Sequence, residues 1–187
     1  LMPTSVALFT GTPAAGKSTM MLKLADSMPA RGCLTVFNTG EESAMQVKLT
    51  AERLRLNHGT AIGQITHPKT LLEKCDELRN APGNAGKDFL LIVDSLQTLN
   101  DGKYGETTNG RTPERCLAEI TDWCKANATM AIVIGQVGKD GNFLGSNVLK
   151  HMVDAMVTLT VEDKDPELMG SRVLQCVKNR FGTAGTT

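Results

Sequence analysis

The sequence predicts an α/β domain built on a mainly parallel sheet, and three observations carry that expectation. Short apolar runs alternate along the chain with segments whose apolar residues recur at helical spacing. Two of those runs, FLLIV at 89–93 and MAIVI at 130–134, are apolar without a break, as in strands covered on both faces by helices. Finally, 187 residues at 41% hydrophobic content suffice for one domain with its own core, expected to span 1–187.

Each element has a local reason. Residues 6–10 (VALFT) read as a short buried strand feeding a glycine loop, and the following helix places Met21, Leu24, Ala25 and Met28 on one stripe. Residues 34–38 form a second strand-like run, after which Ala44, Val47, Ala51 and Leu54 follow at helical spacing. Residues 61–65 are a third strand. Pro68 opens a helix with Leu71, Leu72, Cys75 and Leu78 inward. NAPGNAGKD is a surface loop before the 89–93 strand. A polar segment, 100–111, precedes a helix capped by Thr112-Pro113 that carries Leu117, Ile120 and Cys124. After the 130–134 strand comes a second glycine-containing loop at 138–146. Two last strands, 155–161 and 172–178, flank the turn-like DKDPELMG and form an antiparallel hairpin at one edge.

Composition removes some functions. Twenty basic and twenty acidic residues cancel, so net charge offers no argument for nucleic-acid binding, and a local patch is needed instead. No apolar run approaches the roughly 20 residues of a membrane-spanning helix, and no membrane association is expected. Cys33, Cys75, Cys116, Cys124 and Cys176 are odd in number, widely spaced and free of any C-x-x-C pair. They argue against a zinc site or a disulfide framework and for a reducing, cytoplasmic setting.

GTPAAGKS at 11–18 matches the G-x-x-x-x-G-K-[ST] phosphate loop, with a strand before it and a helix after it. Gly11, Thr12, Pro13, Ala14, Ala15, Gly16, Lys17, Ser18 and Thr19 frame such a loop, whose backbone N–H groups (Pro13 has none) turn inward to phosphate oxygens. The helix N-terminus adds partial positive charge. Lys17 is expected on the β/γ-phosphates of ATP and the Ser18 hydroxyl on Mg²⁺. Asp94, at the emerging end of the 89–93 strand, is the metal-side carboxylate candidate. Glu41 and Glu42 follow the second strand; either they begin the next helix, favoured by its dipole, or one polarises the attacking water. Glu41 is the preferred base, with Glu42 assisting. Gln136 emerges at the same edge as a γ-phosphate sensor, or else satisfies loose backbone groups there. Lys178 and Arg180, in VKNRFG, have no acidic residue nearby in the sequence. Read alone, they are solvated cations on an edge strand.

GTPAAGKST, NTGEES followed by QVKLTAERL, LLIVDSLQT, RTPERCLAEI, GQVGKDG with LKHMVDAMVTL, and VKNRFG together resemble the RecA-like ATPases, and among them the bacterial RadA (Sms) DNA-repair family. The phosphate loop is common to many unrelated ATPases, whereas GEES and KNRFG are far more specific. The resemblance implies a RecA-like core working as a homo-oligomeric, hexameric ring, with ATP between subunits and single-stranded DNA in the channel. It further implies branch migration in recombination and a recombinase as protein partner. By position Glu41 matches the family's catalytic glutamate and Asp94 its metal-side aspartate. Lys178 and Arg180 match cations reaching the neighbouring subunit's ATP, which would explain why no partner stands near them in the sequence. Residues 100–111 and 138–147 match the DNA-facing loops, with Lys103, Arg111, Arg115 and Lys139 as phosphate contacts and Tyr104 and Phe143 as stacking residues.

The chain departs from the family in having no zinc-finger cysteines, no Lon-like segment, and Gln136 where RadA usually has histidine. Both ends are therefore expected to be cut from something longer, or the protein to be a reduced relative. An ATP-gated assembly or loading module, and a DnaB-like or KaiC-like ATPase, stay open as alternatives.

Overall fold

The computed structural model describes residues 2–56, 59–136, 147–163 and 165–186. In chain order the elements are β1 (Val6–Gly11), α1 (Lys17–Ser27), β2 (Leu34–Thr39), α2 (Ala44–Arg53), β3 (Ala61–Gly63), α3 (Pro68–Asn80) and β4 (Phe89–Asp94). They continue with α4 (Thr112–Asn127), β5 (Met130–Ile134), α5 (Asn147–Met152), β6 (Ala155–Val161), β7 (Arg172–Asn179) and β8 (Gly185–Thr186). The sheet order is β3-β2-β4-β5-β1-β6-β7-β8. Every pair from β3 to β6 is parallel, and β7 and β8 add antiparallel strands at one edge.

The unbroken apolar runs mark strands buried on both faces. In β4, Phe89, Leu91 and Val93 enter the core layer under α3, α4 and α5, while Leu90 and Ile92 enter the layer under α1 and α2. Ala131 and Val133 of β5 and Val6 and Leu8 of β1 join the first layer; Ile132, Ile134, Ala7 and Phe9 join the second. This period-2 division gives each helix layer its own apolar floor. A fully buried leucine, isoleucine, valine or phenylalanine here contributes about 1.5–3 kcal/mol.

Two expectations are corrected, and two elements form that the sequence reading did not predict. The third strand ends at Gly63, because Asn38 binds the Ile65 backbone on both sides, accepting from its N–H (3.0 Å) and donating to its carbonyl (2.8 Å). Thr112 is the first helical residue of α4 and not its cap; Arg111 holds that position without a side-chain cap bond. Helix α5 forms over residues read only as following a loop. The Gly/Thr tail contributes β8, paired to Gln175 and Cys176 of β7. The second glycine-containing loop, with Lys139 and Phe143, lies outside the described residues.

Two consequences of topology position the site. The carboxyl ends of β1, β2, β4 and β5 share one sheet edge, where open α/β sheets bind ligands. Strand β7 runs the other way, pairing Arg172 with Val161 at that carboxyl edge and Asn179 with Ala155 at the opposite, amino edge.

Candidate functional site

At the carboxyl edge the 11–18 segment curls between β1 and α1. Gly11 passes so close to β6 that a Cβ there would lie 2.0 Å from the Leu159 carbonyl oxygen, so only glycine fits. Gly16 caps α1 at φ 94° with no side-chain bond to the helix N-terminus, which leaves the first N–H groups of α1 aimed into the loop. Lys17 Nζ donates to the carbonyls of Gly11 (2.9 Å) and Thr12 (3.0 Å). Burial lowers the Lys17 pKa, opposed by Glu41 and Asp94.

The loop, Lys17, Ser18, Glu41, Glu42, Asp94 and Gln136 surround one cavity of about 390 Å³, of ligand size. Asp94 is almost fully buried, at 3% exposure. Burial pushes its carboxyl up to about 6, helped by Glu41 and Glu42 and opposed by a hydrogen bond with the Ser18 side chain and by Lys17.

Glu41 is held from two sides. Its Oε1 accepts from Ser95 Oγ (2.6 Å) and from Gln136 Nε2 (2.7 Å), joining β2, β4 and β5 across the cavity mouth. Neither glutamate begins the next helix, since α2 starts at Ala44. Ser43 and Gln46 form a reciprocal capping box at the start of α2, so neither glutamate caps the helix. Gly40 lets the chain turn into the cavity, since a Cβ there would lie 2.1 Å from Thr98 Oγ1. Gln136 contacts Glu41 directly rather than only satisfying backbone.

Magnesium fits this donor set. Ser18 and Asp94 line the same cavity. Three carboxylates face one lysine in the cavity, an excess of negative charge that a divalent cation would neutralise. Among the described residues no group of three or more His, Cys, Asp and Glu forms a metal cage; Mg²⁺ bound through one or two protein oxygens plus phosphates needs none.

The first candidate DNA loop is tied down by Arg115. Its Nε and Nη2 bind both Asp101 oxygens, Nη2 also donates to Thr112 Oγ1 (3.0 Å), and the guanidinium lies 5.5 Å from the Tyr104 ring centre. Arg115 is thus a brace of the loop. Lys103, Arg111 and Tyr104 are exposed.

Lys178 and Arg180 both have partners within their own chain. The sequence neighbourhood lacks an acid, but the fold supplies one: Arg180 Nη1 binds Asp154 Oδ1 at 2.7 Å. Lys178 Nζ donates to the carbonyls of Lys150 (2.9 Å) and Val153 (2.7 Å) and, at 3.5 Å, of His151. The strand-paired carboxyl terminus of β7 places both cations at the amino edge. Six strand residues separate that edge from the level of Arg172, about 20 Å at roughly 3.3 Å per residue. Arg172 was missed by sequence reasoning: its Nε donates to the Ala15 carbonyl of the phosphate loop at 2.9 Å. Nothing in the sequence signals a contact across that separation.

Sheet order, loop and carboxylates define a RecA-like P-loop ATPase core. The fold matches the ATPase domain of G40P (TM-score 0.83, 13% identity, all of this chain and 81% of that one). It also matches a DnaB-like replicative helicase (TM-score 0.84, 13% identity, all of this chain and 55% of that one). No family model matches the chain. Within this class the chain is similar to bacterial RadA proteins over nearly its whole length. It is 36% identical to DNA repair protein RadA of Mycobacterium tuberculosis over 98% of its length. It is 31% identical to that of Aquifex aeolicus over 99%, and 36% to that of Campylobacter jejuni over 97%. The chain spans 37% to 39% of the length of these relatives. Among the described residues, no helix is long and apolar enough to cross a membrane.

Proposed function

We propose that the protein hydrolyses ATP with Mg²⁺ at subunit interfaces of a RecA-like ring, most simply a hexamer, and that turnover is coupled to binding and moving along single-stranded DNA. One observation carries the shared-site reading. The phosphate loop and carboxylates stand at the carboxyl edge of the sheet, while Lys178 and Arg180 stand at the amino edge. Cations about 20 Å away along the strands cannot reach the γ-phosphate of their own subunit, but a neighbour stacked edge to edge can receive them.

In this mechanism Lys17 and the α1 N-terminus bind the phosphates. Ser18 and Asp94 would hold Mg²⁺, which supplies charge neutralisation on the phosphate oxygens. Glu41, oriented by Ser95 and Gln136, takes a proton from the attacking water as the new P–O bond forms. The bond between the γ-phosphorus and the bridging oxygen breaks, and its electrons leave with ADP. The neighbour's Lys178 and Arg180 stabilise the developing charge; a cation supplied in trans is worth factors of about a thousand or more.

The DNA part rests on the names and similarity of the RadA relatives and on the exposed Lys103, Tyr104 and Arg111. Such contacts give strong salt dependence and little sequence preference. Branch migration alongside a recombinase is the corresponding cellular role. The test is steady-state ATP hydrolysis against protein concentration, with and without single-stranded DNA. Activity per subunit should rise with concentration and rise again with DNA. Flat activity in both would favour a slow, ATP-gated assembly module.

A further inference from the structure

Asp154 is the last residue before β6, and three observations single it out. It is 5% exposed, yet neither oxygen is left without a donor. Oδ2 accepts the N–H of Val6 at 3.0 Å, and Oδ1 accepts Arg180 Nη1 at 2.7 Å. Its backbone is bonded as well: its N–H donates to the Val6 carbonyl (2.9 Å), and its carbonyl accepts the Arg180 N–H (2.9 Å). The same short stretch, 150–153, offers the carbonyls that hold Lys178.

A carboxylate fixed in this way has little freedom. Val6 begins β1, a strand paired on both sides, so the Asp154 side chain is tied to the middle of the sheet, and Arg180 is tied to Asp154. The partners differ sharply in exposure: the Arg180 side chain is 55% exposed and that of Asp154 is 7% exposed. The guanidinium therefore stands at the surface over a buried acid. Of its five donors, only those of Nη1 are used by a described side chain, and the side chain is more than half exposed. An arginine supplied to a neighbour loses rate steeply when misplaced, because an error of about 1 Å can cost on the order of a hundredfold. A free arginine side chain also sacrifices rotamer entropy each time it engages.

Resting on the shared-site reading above, we infer that Asp154 is the positioning residue for Arg180: its buried carboxylate sets the guanidinium in the orientation in which it meets the neighbouring subunit's γ-phosphate. The ion pair stays formed during turnover and the remaining donors do the contacting. Asp154 touches neither nucleotide nor water.

Subunit mixing separates this role from simple stability. Lys17→Ala subunits keep their trans cations but bind nucleotide poorly; Arg180→Ala subunits keep the nucleotide site. Mixing the two inactive proteins should restore ATP hydrolysis, because one supplies what the other lacks. Placing Asp154→Asn in the Lys17→Ala subunit should lower the restored rate by roughly a hundredfold. Placing it in the Arg180→Ala subunit should leave that rate within about twofold, with ATP affinity unchanged. Asp154→Glu, which keeps the charge but moves it by one methylene, is run in parallel and should show the same one-sided loss if the amide variant does not fold. Equal losses in both backgrounds, or none in either, would overturn the assignment and leave Asp154 a structural acid. Failure of the unmodified pair to restore any activity would instead refute the shared site itself.

Discussion

Replacing Asp94 by asparagine should make the protein more stable and inactive. The folded carboxyl holds its proton up to about pH 6, against an ordinary value of 3.8, chiefly through burial. Between those two values the folded state binds more protons than the unfolded state, so stability falls as pH rises through the window. Above pH 6 the loss is complete and corresponds to about 3 kcal/mol. The substituted amide keeps a carbonyl to accept from Ser18 but has no charge to desolvate, so it escapes the loss. Urea unfolding followed by circular dichroism reads the difference. With a slope of about 2 kcal/mol/M, the midpoint of Asp94→Asn should lie roughly 1.5 M higher at pH 7.5. At pH 4.5 most of that gain should have gone. Mg²⁺ should add to the stabilisation that ATP gives the parent protein and add little to that of the variant. A variant equally or less stable at pH 7.5, or one whose advantage persists unchanged at pH 4.5, would refute the claim that this carboxylate is held at a cost for the sake of the site.

Three further outcomes are expected. Glu41→Gln keeps an acceptor for Ser95 and Gln136 but removes the base; kcat should fall by about two to three orders of magnitude with ATP affinity within about twofold in equilibrium binding. Gly40→Ala puts a methyl 2.1 Å from Thr98 Oγ1, and Thr98 is held by a 2.8 Å bond to the Ser95 carbonyl. The overpacking should cost about 1–3 kcal/mol, seen as a lower Tm, and should lower kcat as Glu41 is pushed aside. Arg115→Lys cannot reproduce the paired bonds to Asp101 or the stacking on Tyr104; limited proteolysis should then cut faster within 101–111, and affinity for single-stranded DNA should fall.

How much was legible in the sequence depended on the range of the interaction that decides each feature. The strands at 89–93 and 130–134 were legible because burial on both faces writes itself as a continuous apolar run, and the phosphate loop because its glycines answer to backbone geometry within one short segment. Glu41 was legible as a position and as a candidate base, but not in what frees and orients it. Its freedom to serve the cavity depends on Ser43 and Gln46 capping α2 instead, and its orientation on Ser95 and Gln136 from two other strands. Strand β8 was not legible, since two residues carry no periodicity.

The cations of VKNRFG show the same limit most clearly. Within the segment itself they have no acid, and only the resemblance to the RadA family pointed to another subunit. The fold supplies Asp154, brought beside Arg180 by pairing of Ala155 with Asn179 across the β6–β7 hairpin. Having a partner in the chain does not weaken the case for action in trans, because the same pairing that brings Asp154 to Arg180 also carries both cations to the amino edge of the sheet. One antiparallel strand therefore does two things. At its start Arg172 holds the Ala15 carbonyl of its own phosphate loop, and at its end Lys178 and Arg180 are offered away from it. Under the proposed shared site, a shift of the loop that moves Ala15 would pull on a strand whose far end carries the cations offered to a neighbour. In the proposed ring, β7 would then link one nucleotide site to the next.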